Sequence, residues 1–228
     1  MRCQVLYAGF MKINRDLVAR AGLKLLNEIG LEHLTLRRLA KELNVQAATI
    51  YWHFKDKQEL LDEMATTVWV EGSVYLIPRR TSSDWRIWAS TYGEGIRKIL
   101  LATRDGARMV SGTRWTTTEP LKSTERIGGR LIASGFSLRA ATVLLSTIYN
   151  YTLSFTMEEQ AVFPIPGKRA PHYSLEERNA RLDPTIFPLQ RQATPILFDR
   201  YDRRYREGLS LILKGSEPDR AQGSPTEA

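Results

Sequence analysis

"NVQAATIYWHFKDKQELL", residues 44–61, places Ala47, Ala48, Thr49, Tyr51, Trp52 and His53 within about two helical turns. So many aromatics suggest burial, yet the stretch follows the basic pair Arg37–Arg38 and ends in Lys55-Asp56-Lys57, which belong in water. Reading outward resolves the conflict. Upstream, Thr35 is placed to cap a short helix in which Leu36, Leu39, Ala40 and Leu43 recur at helical spacing, with Asn44 as its end. Arg37, Arg38 and Lys41 are left on its outer face. Before it, "NRDLVARAGLKLLNEIG" offers Asn14 as cap, the stripe Val18, Ala21, Leu25 and Ile29, and Gly30 as stop. Downstream, Asp56 and Glu59 resemble a capping box for a helix with apolar positions at Leu60, Leu61, Met64, Ala65 and Val68.

A helix, a turn of a few residues and a second short helix with small and polar residues exposed is helix-turn-helix geometry. Val45, Ile50 and Phe54 can then face a core, which frees Ala47, Ala48, Thr49, Tyr51, Trp52 and His53 to face a groove. Small residues early in a recognition helix permit close approach to base edges and thymine methyls. Hydroxyl, imidazole and ammonium groups around them can hold phosphates and fix register. Pattern alone also fits a three-helix subdomain whose aromatics are core.

The chain has 228 residues, 43% hydrophobic and 25% charged, which is ordinary for a globular protein. Its formal charge of +8 allows a polyanionic partner, and equally a solvated basic face. Cys3 is the single cysteine, which excludes a disulfide framework and a thiolate metal cluster and suits a reducing cytoplasm. His33, His53 and His172 are scattered, and neither a nucleophile elbow nor a phosphate loop is present, so an enzyme is not expected. Residues 1–13 read as a flexible arm and 216–228 as a polar tail.

"LTLRRLAKELNVQAATIYWHFKDKQELLD" resembles the DNA-binding domain of the tetracycline-repressor (TetR) family, over residues 14–65. The resemblance implies an all-α bacterial transcription regulator: an N-terminal three-helix DNA reader and a C-terminal helical domain, 66–215, that binds a small ligand and dimerises. It implies a cytoplasmic homodimer, at the nucleoid when bound to DNA, that needs no cofactor. Carried over by position, Arg37 would read a base, while Thr35, Thr49, Tyr51, Trp52, His53 and Lys57 would mostly hold phosphates. Ala47-Ala48 replace the Gln-Pro of tetracycline repressors, so the operator sequence does not carry over.

A weaker resemblance continues through "LLATRDGARMVSGTRW" (100–115), "SGFSLRAATVLLSTIYNYTLSFTMEEQ" (134–160) and "YREGLSLILKGSE" (205–217). From the residues, Ser137 caps a long helix reaching about Gln160, residues 161–187 with Pro164, Pro166, Gly167, Pro171 and Pro184 among them form a long, functional or mobile loop, and helices resume to about Gly215. Family architecture would pair the helix after Ser137 and the last helix across a dimer axis, through Val143, Leu144, Ile148, Tyr151, Leu209, Leu211, Ile212 and Leu213. The same residues also suit a monomer core.

Tetracycline with magnesium is not expected. The family's metal-binding histidine falls on Val110, its ring-holding histidine and asparagine on Ser73 and Tyr92, and a pocket phenylalanine on Ile96. Thr113, Arg114 and Glu158 remain, and one carboxylate does not make a magnesium site. Trp88, Tyr92, Trp115, Tyr149 and Phe155, with Asn150, Thr113 and Glu158 as polar points, suit an apolar, aromatic or polycyclic effector bound without metal. A repressor released by such an effector is one reading; an architectural DNA-binding protein without an effector is the other. A cavity in the second domain favours the first, and a filled core the second.

Overall fold

The computed structural model describes residues 13–219; the expected arm up to residue 12, with Cys3, and the end of the tail from residue 220 lie outside them. Eleven α-helices and no strand occur among the described residues. α1 (Arg15–Ile29) begins where Asn14 accepts a hydrogen bond from Leu17 N at 2.9 Å, and stops at Gly30, whose φ of 78° suits glycine. α2 (Leu36–Glu42) is capped by the Thr35 hydroxyl, which accepts from Arg38 N at 3.2 Å. Asn44 takes a left-handed φ of 52° and turns the chain into α3 (Ala47–His53). Val18, Leu26, Leu39, Ile50, Phe54 and Leu60 meet in the core of this unit.

α4 (Lys57–Gly72) starts at a displaced capping box. Asp56 accepts from Glu59 N at 2.9 Å, while the Glu59 carboxylate reaches back to Lys55 N at 3.0 Å rather than to Asp56 N. This helix crosses the expected boundary at residues 65–66, so one rigid rod, about 24 Å long, belongs to both units. At its end Gly72 lets α5 (Trp85–Leu101) approach: a Cβ there would lie 2.3 Å from Ile99 Cγ1.

Around α5 pack α6 (Gly106–Val110), α7 (Leu121–Ala133), α8 (Leu138–Val162) and α11 (Tyr201–Lys214). Ser137 caps α8 through Ala140 N, as expected. Gln160, buried near the end of α8, donates to the carbonyls of Leu100 and Thr103 at 3.1 and 2.8 Å and accepts from Ala107 N at 3.0 Å. One side chain thus satisfies the loose backbone groups of the α5–α6 corner. That corner touches the N-terminal unit, because Asp105 accepts from Leu31 N at 2.8 Å and Arg104 N donates to Asn27 at 2.7 Å.

Residues 161–187 are not a plain loop. After α8 the chain reverses at an Ile165–Lys168 bridge, makes a 3-10 turn over Pro171–Tyr173 and forms α9 (Leu175–Ala180) before α10 (Pro188–Phe198). Arg169 ties the reversal to the end of α10 by donating to the Phe198 carbonyl at 2.8 Å and to Asp199. Prolines marked the turns correctly, but Ser174 caps a helix that begins between them by accepting from Glu177 N.

A helix-turn-helix face and an aromatic cavity

On the N-terminal unit, Ala48, Tyr51 and Trp52 project from one side of α3, and Trp52 is 84% exposed. An indole left this open, edge-on to His53 at 5.0 Å, has a free face for a partner. Arg37 lies exposed on α2. Thr49 and His53 are half-buried beside this face. Thr35 is exposed but its hydroxyl already serves as helix cap. The Lys57 ammonium donates to the Leu31 carbonyl at 2.8 Å, and two further N–H bonds remain to it. Ala47, expected toward a groove, is half-buried and packs against the core, since the first turn of α3 leans on Val45 and α2.

In the C-terminal domain the expected ligand residues separate. Tyr92 of α5 and Tyr149 of α8 line one cavity of about 530 Å³, together with Leu121, Glu125 and Ile132 of α7 and Leu145 of α8. No arginine or lysine lines it. Trp115 sits beside this cavity's wall, edge-on to Trp69 at 5.5 Å, and Trp69 in turn lies 6.3 Å from Tyr149. Burial raises the pKa of the Tyr92 hydroxyl, with Tyr149 adding to it, and burial raises that of Tyr149, so both phenols stay neutral donors.

Several expected members are elsewhere. Phe155 is six residues from Tyr149, about a third of a turn out of phase, and packs between α8 and α11 against Tyr201 and Tyr205 at 5.7 and 5.3 Å. Glu158, nine residues on, points to the opposite side and is exposed, as is Asn150. Trp88 is not in the cavity's lining: its Nε1 donates to the Ser82 carbonyl at 2.9 Å, and Arg126 and Arg130 of α7 stack over it. Ile96 and Val110 are closed core residues. Arg114 turns outward and holds Asp62 instead of facing a ligand.

The positions do not fit a magnesium site. Val110 offers no donor, and no group of three or more His, Cys, Asp or Glu converges among the described residues. No helix among them is long and apolar enough to cross a membrane.

Three residues outside the expected sites, Asp62, Thr66 and Trp69, matter here. Asp62, buried on α4, accepts from Arg114 N at 3.0 Å and from Gln58 Nε2 at 2.9 Å, while the neighbouring Thr66 hydroxyl accepts from Thr116 N at 3.0 Å. These bonds stitch the segment after α6 onto α4. Trp69 is 4% exposed, and its indole N–H has no hydrogen-bond partner. Such a donor costs about 1–3 kcal/mol if nothing satisfies it. Its position four residues after Ala65 was the available signal, since it extends the buried face of α4.

Comparison with known proteins identifies the architecture. Residues 18–64 match the family described as bacterial regulatory proteins, tetR family, and residues 77–219 match the tetracyclin repressor-like C-terminal domain. The chain belongs to the TetR family. It is a DNA-binding regulator by family, not an enzyme. The class C tetracycline repressor protein of Escherichia coli is 35% identical over 207 residues, 90% of this chain and 91% of that protein. A solved possible TetR family transcriptional regulator from Streptomyces coelicolor A3(2) superposes with a TM-score of 0.78 at 32% identity, covering 89% of this chain and 98% of its own. ActR, a TetR family protein of Streptomyces coelicolor solved in complex with actinorhodin, gives 0.74 at 25% identity, over 89% and 96% of the two chains.

Proposed function

We propose that this TetR family member is a homodimeric repressor of a palindromic operator, released by an uncharged aromatic or polycyclic effector held between α5, α7 and α8. The cavity of about 530 Å³ lined by Tyr92 and Tyr149 is the observation that carries the effector. It favours this reading over an architectural DNA-binding protein, whose second domain needs no such space. The actinorhodin bound to ActR supports a small-molecule effector, and among the described residues no carboxylate or imidazole set converges to hold a metal.

At the DNA, Arg37 reads a base through its guanidinium, and Tyr51, Trp52, His53 and Lys57 hold phosphates. Two copies place their α3 helices in successive major grooves, ~34–36 Å apart or a little more. Arg37→Ala is expected to cost ~1–3 kcal/mol and to relax preference at one base pair. Lys57→Ala is expected to weaken all sequences alike and flatten the salt dependence. Titration against a library of single-base operator variants separates the two; uniform weakening by Arg37→Ala would remove its role as base reader.

Effector contact at Tyr149 and Trp115 shifts the segment after α6, and the Asp62 and Thr66 bonds carry that shift to α4 and hence to α3. Only a ligand that prefers the spacing unable to bind DNA can release the protein, because equal affinity for both states shifts nothing. Titrating the complex with the chain's own upstream DNA against neutral polycyclic aromatics, with and without EDTA, tests this. Release is expected to ignore EDTA and to weaken at least tenfold in Tyr92→Ala/Tyr149→Ala, the loss of two ring contacts. Release that requires magnesium, or that survives the double replacement, rules out this cavity as the effector site.

A further inference from the structure

We infer that Trp69 donates its indole N–H to an acceptor oxygen on the effector, so that α4, the helix shared with the DNA reader, grips the ligand directly. The inference rests on the effector cavity proposed above and specifies the chemistry it recognises.

Buried polar side chains in folded proteins nearly always have partners, and an orphan points to a partner present in another state. Trp88, buried to a similar degree, donates to the Ser82 carbonyl, whereas the Trp69 N–H meets nothing. Trp69 is one ring away from the cavity, against Tyr149 on one side and Trp115 on the other. Trp115 is 38% exposed and belongs to the segment that Thr66 fastens to α4 through Thr116. A flat molecule seated on Tyr149 can therefore reach the indole by displacing the exposed Trp115 ring.

The donor set defines the ligand. Among the described residues the hydroxyls of Tyr92 and Tyr149 have no protein hydrogen-bond partner either, and both remain protonated. Indole offers only a donor, and a phenol beside it readily donates. With Glu125 as the charged group in the lining and no cation there, an anionic ligand finds no counter-charge. A neutral ring system bearing a carbonyl oxygen satisfies the donors while its faces stack on the aromatics.

The test has two arms, neither needing the natural effector. In the first, Trp69→Phe and Trp88→Phe remove the same benzo-to-phenyl volume, but only Trp88→Phe breaks a hydrogen bond. The melting temperature of Trp69→Phe is expected to stay about 2–4 °C above that of Trp88→Phe. Equal losses would mean that the Trp69 N–H is already satisfied, and would overturn the inference.

In the second arm, 9-fluorenone and fluorene, which differ by one carbonyl, are titrated calorimetrically. Wild type is expected to prefer the ketone about tenfold, and Trp69→Phe to bind both alike. A preference that survives Trp69→Phe overturns the role of Trp69 and leaves the cavity standing. Binding of neither tricycle by wild type overturns the cavity reading, and this inference with it.

Discussion

Glu159→Ala is expected to cost about 3–5 kcal/mol of folding stability, because it strands a buried guanidinium. Arg97 on α5 donates through Nε and Nη2 to Glu159 at 2.9 and 2.7 Å, and through Nη1 to Asp202 at 2.7 Å. Arg97 and Glu159 side chains are 11% and 12% exposed, while Asp202 is 76% exposed. The rings of Tyr205 and Phe155 cover the guanidinium at 5.1 and 5.9 Å. Burial alone lowers the Arg97 pKa, yet the hydrogen bonds and charges of Glu159 and Asp202 raise it above its ordinary value. Without Glu159, only a solvated carboxylate remains to hold that charge. α5, α8 and α11 meet at this pair, so its loss loosens all three. Arg97→Met/Glu159→Leu is expected to recover most of the stability, since no charge is then left buried. Urea denaturation of the single and double variants checks both outcomes. A loss below about 1 kcal/mol in Glu159→Ala, the scale of a surface ion pair, would contradict the burial argument.

Leu211→Arg is expected to turn the proposed dimer into folded monomers, whereas Leu144→Arg unfolds the chain. Both residues suited a dimer surface in the sequence, and the structure separates them. Leu211 is 71% exposed on α11 and Val143 is exposed on α8, while Leu144 is 4% exposed in the core. Ile148, Leu209 and Leu213 are likewise core residues, and Tyr151 is tied down by donating its hydroxyl to the Tyr205 carbonyl at 3.0 Å. An arginine at Leu211 sits in water in the monomer and becomes an unpaired buried charge only on association. Sedimentation of Leu211→Arg is expected at the 26.1 kDa of one chain, with helical circular dichroism kept. Operator affinity is expected to fall by about 10²–10⁴, because the second half-site no longer binds intramolecularly. A wild type that itself sediments as one chain at micromolar concentration would remove the dimer.

Caps and stops were legible because they are local. Asn14, Thr35, Asp56 and Ser137 each hold the backbone N–H that their sequence positions predicted, and Gly30 and Asn44 take the positive φ that ends a helix. Ile50 and Phe54 fell inside, and Tyr51 and Trp52 outside, since α3 has one stripe to bury and a seven-residue helix leaves little choice. The aromatic cavity was legible only in part. Tyr92 and Tyr149 line it and Trp115 lies one ring further out, beyond Trp69, but Phe155, Glu158 and Asn150 lie elsewhere, because composition names aromatic residues without saying which side of a helix each occupies.

By itself, the sequence determined the DNA-reading unit, its family and the helix starts, all of which depend on residues within a few positions of one another. The tertiary structure alone decided that α4 runs through both units, that Asp62 and Thr66 fasten the segment after α6, and that the Trp69 N–H is unpaired. The physical reason is that a long helix buried on several sides, such as α5 or α8, can satisfy its apolar pattern at more than one rotation about its axis. Contacts with helices distant in the chain choose among those rotations, and that choice determines which side chains face the cavity.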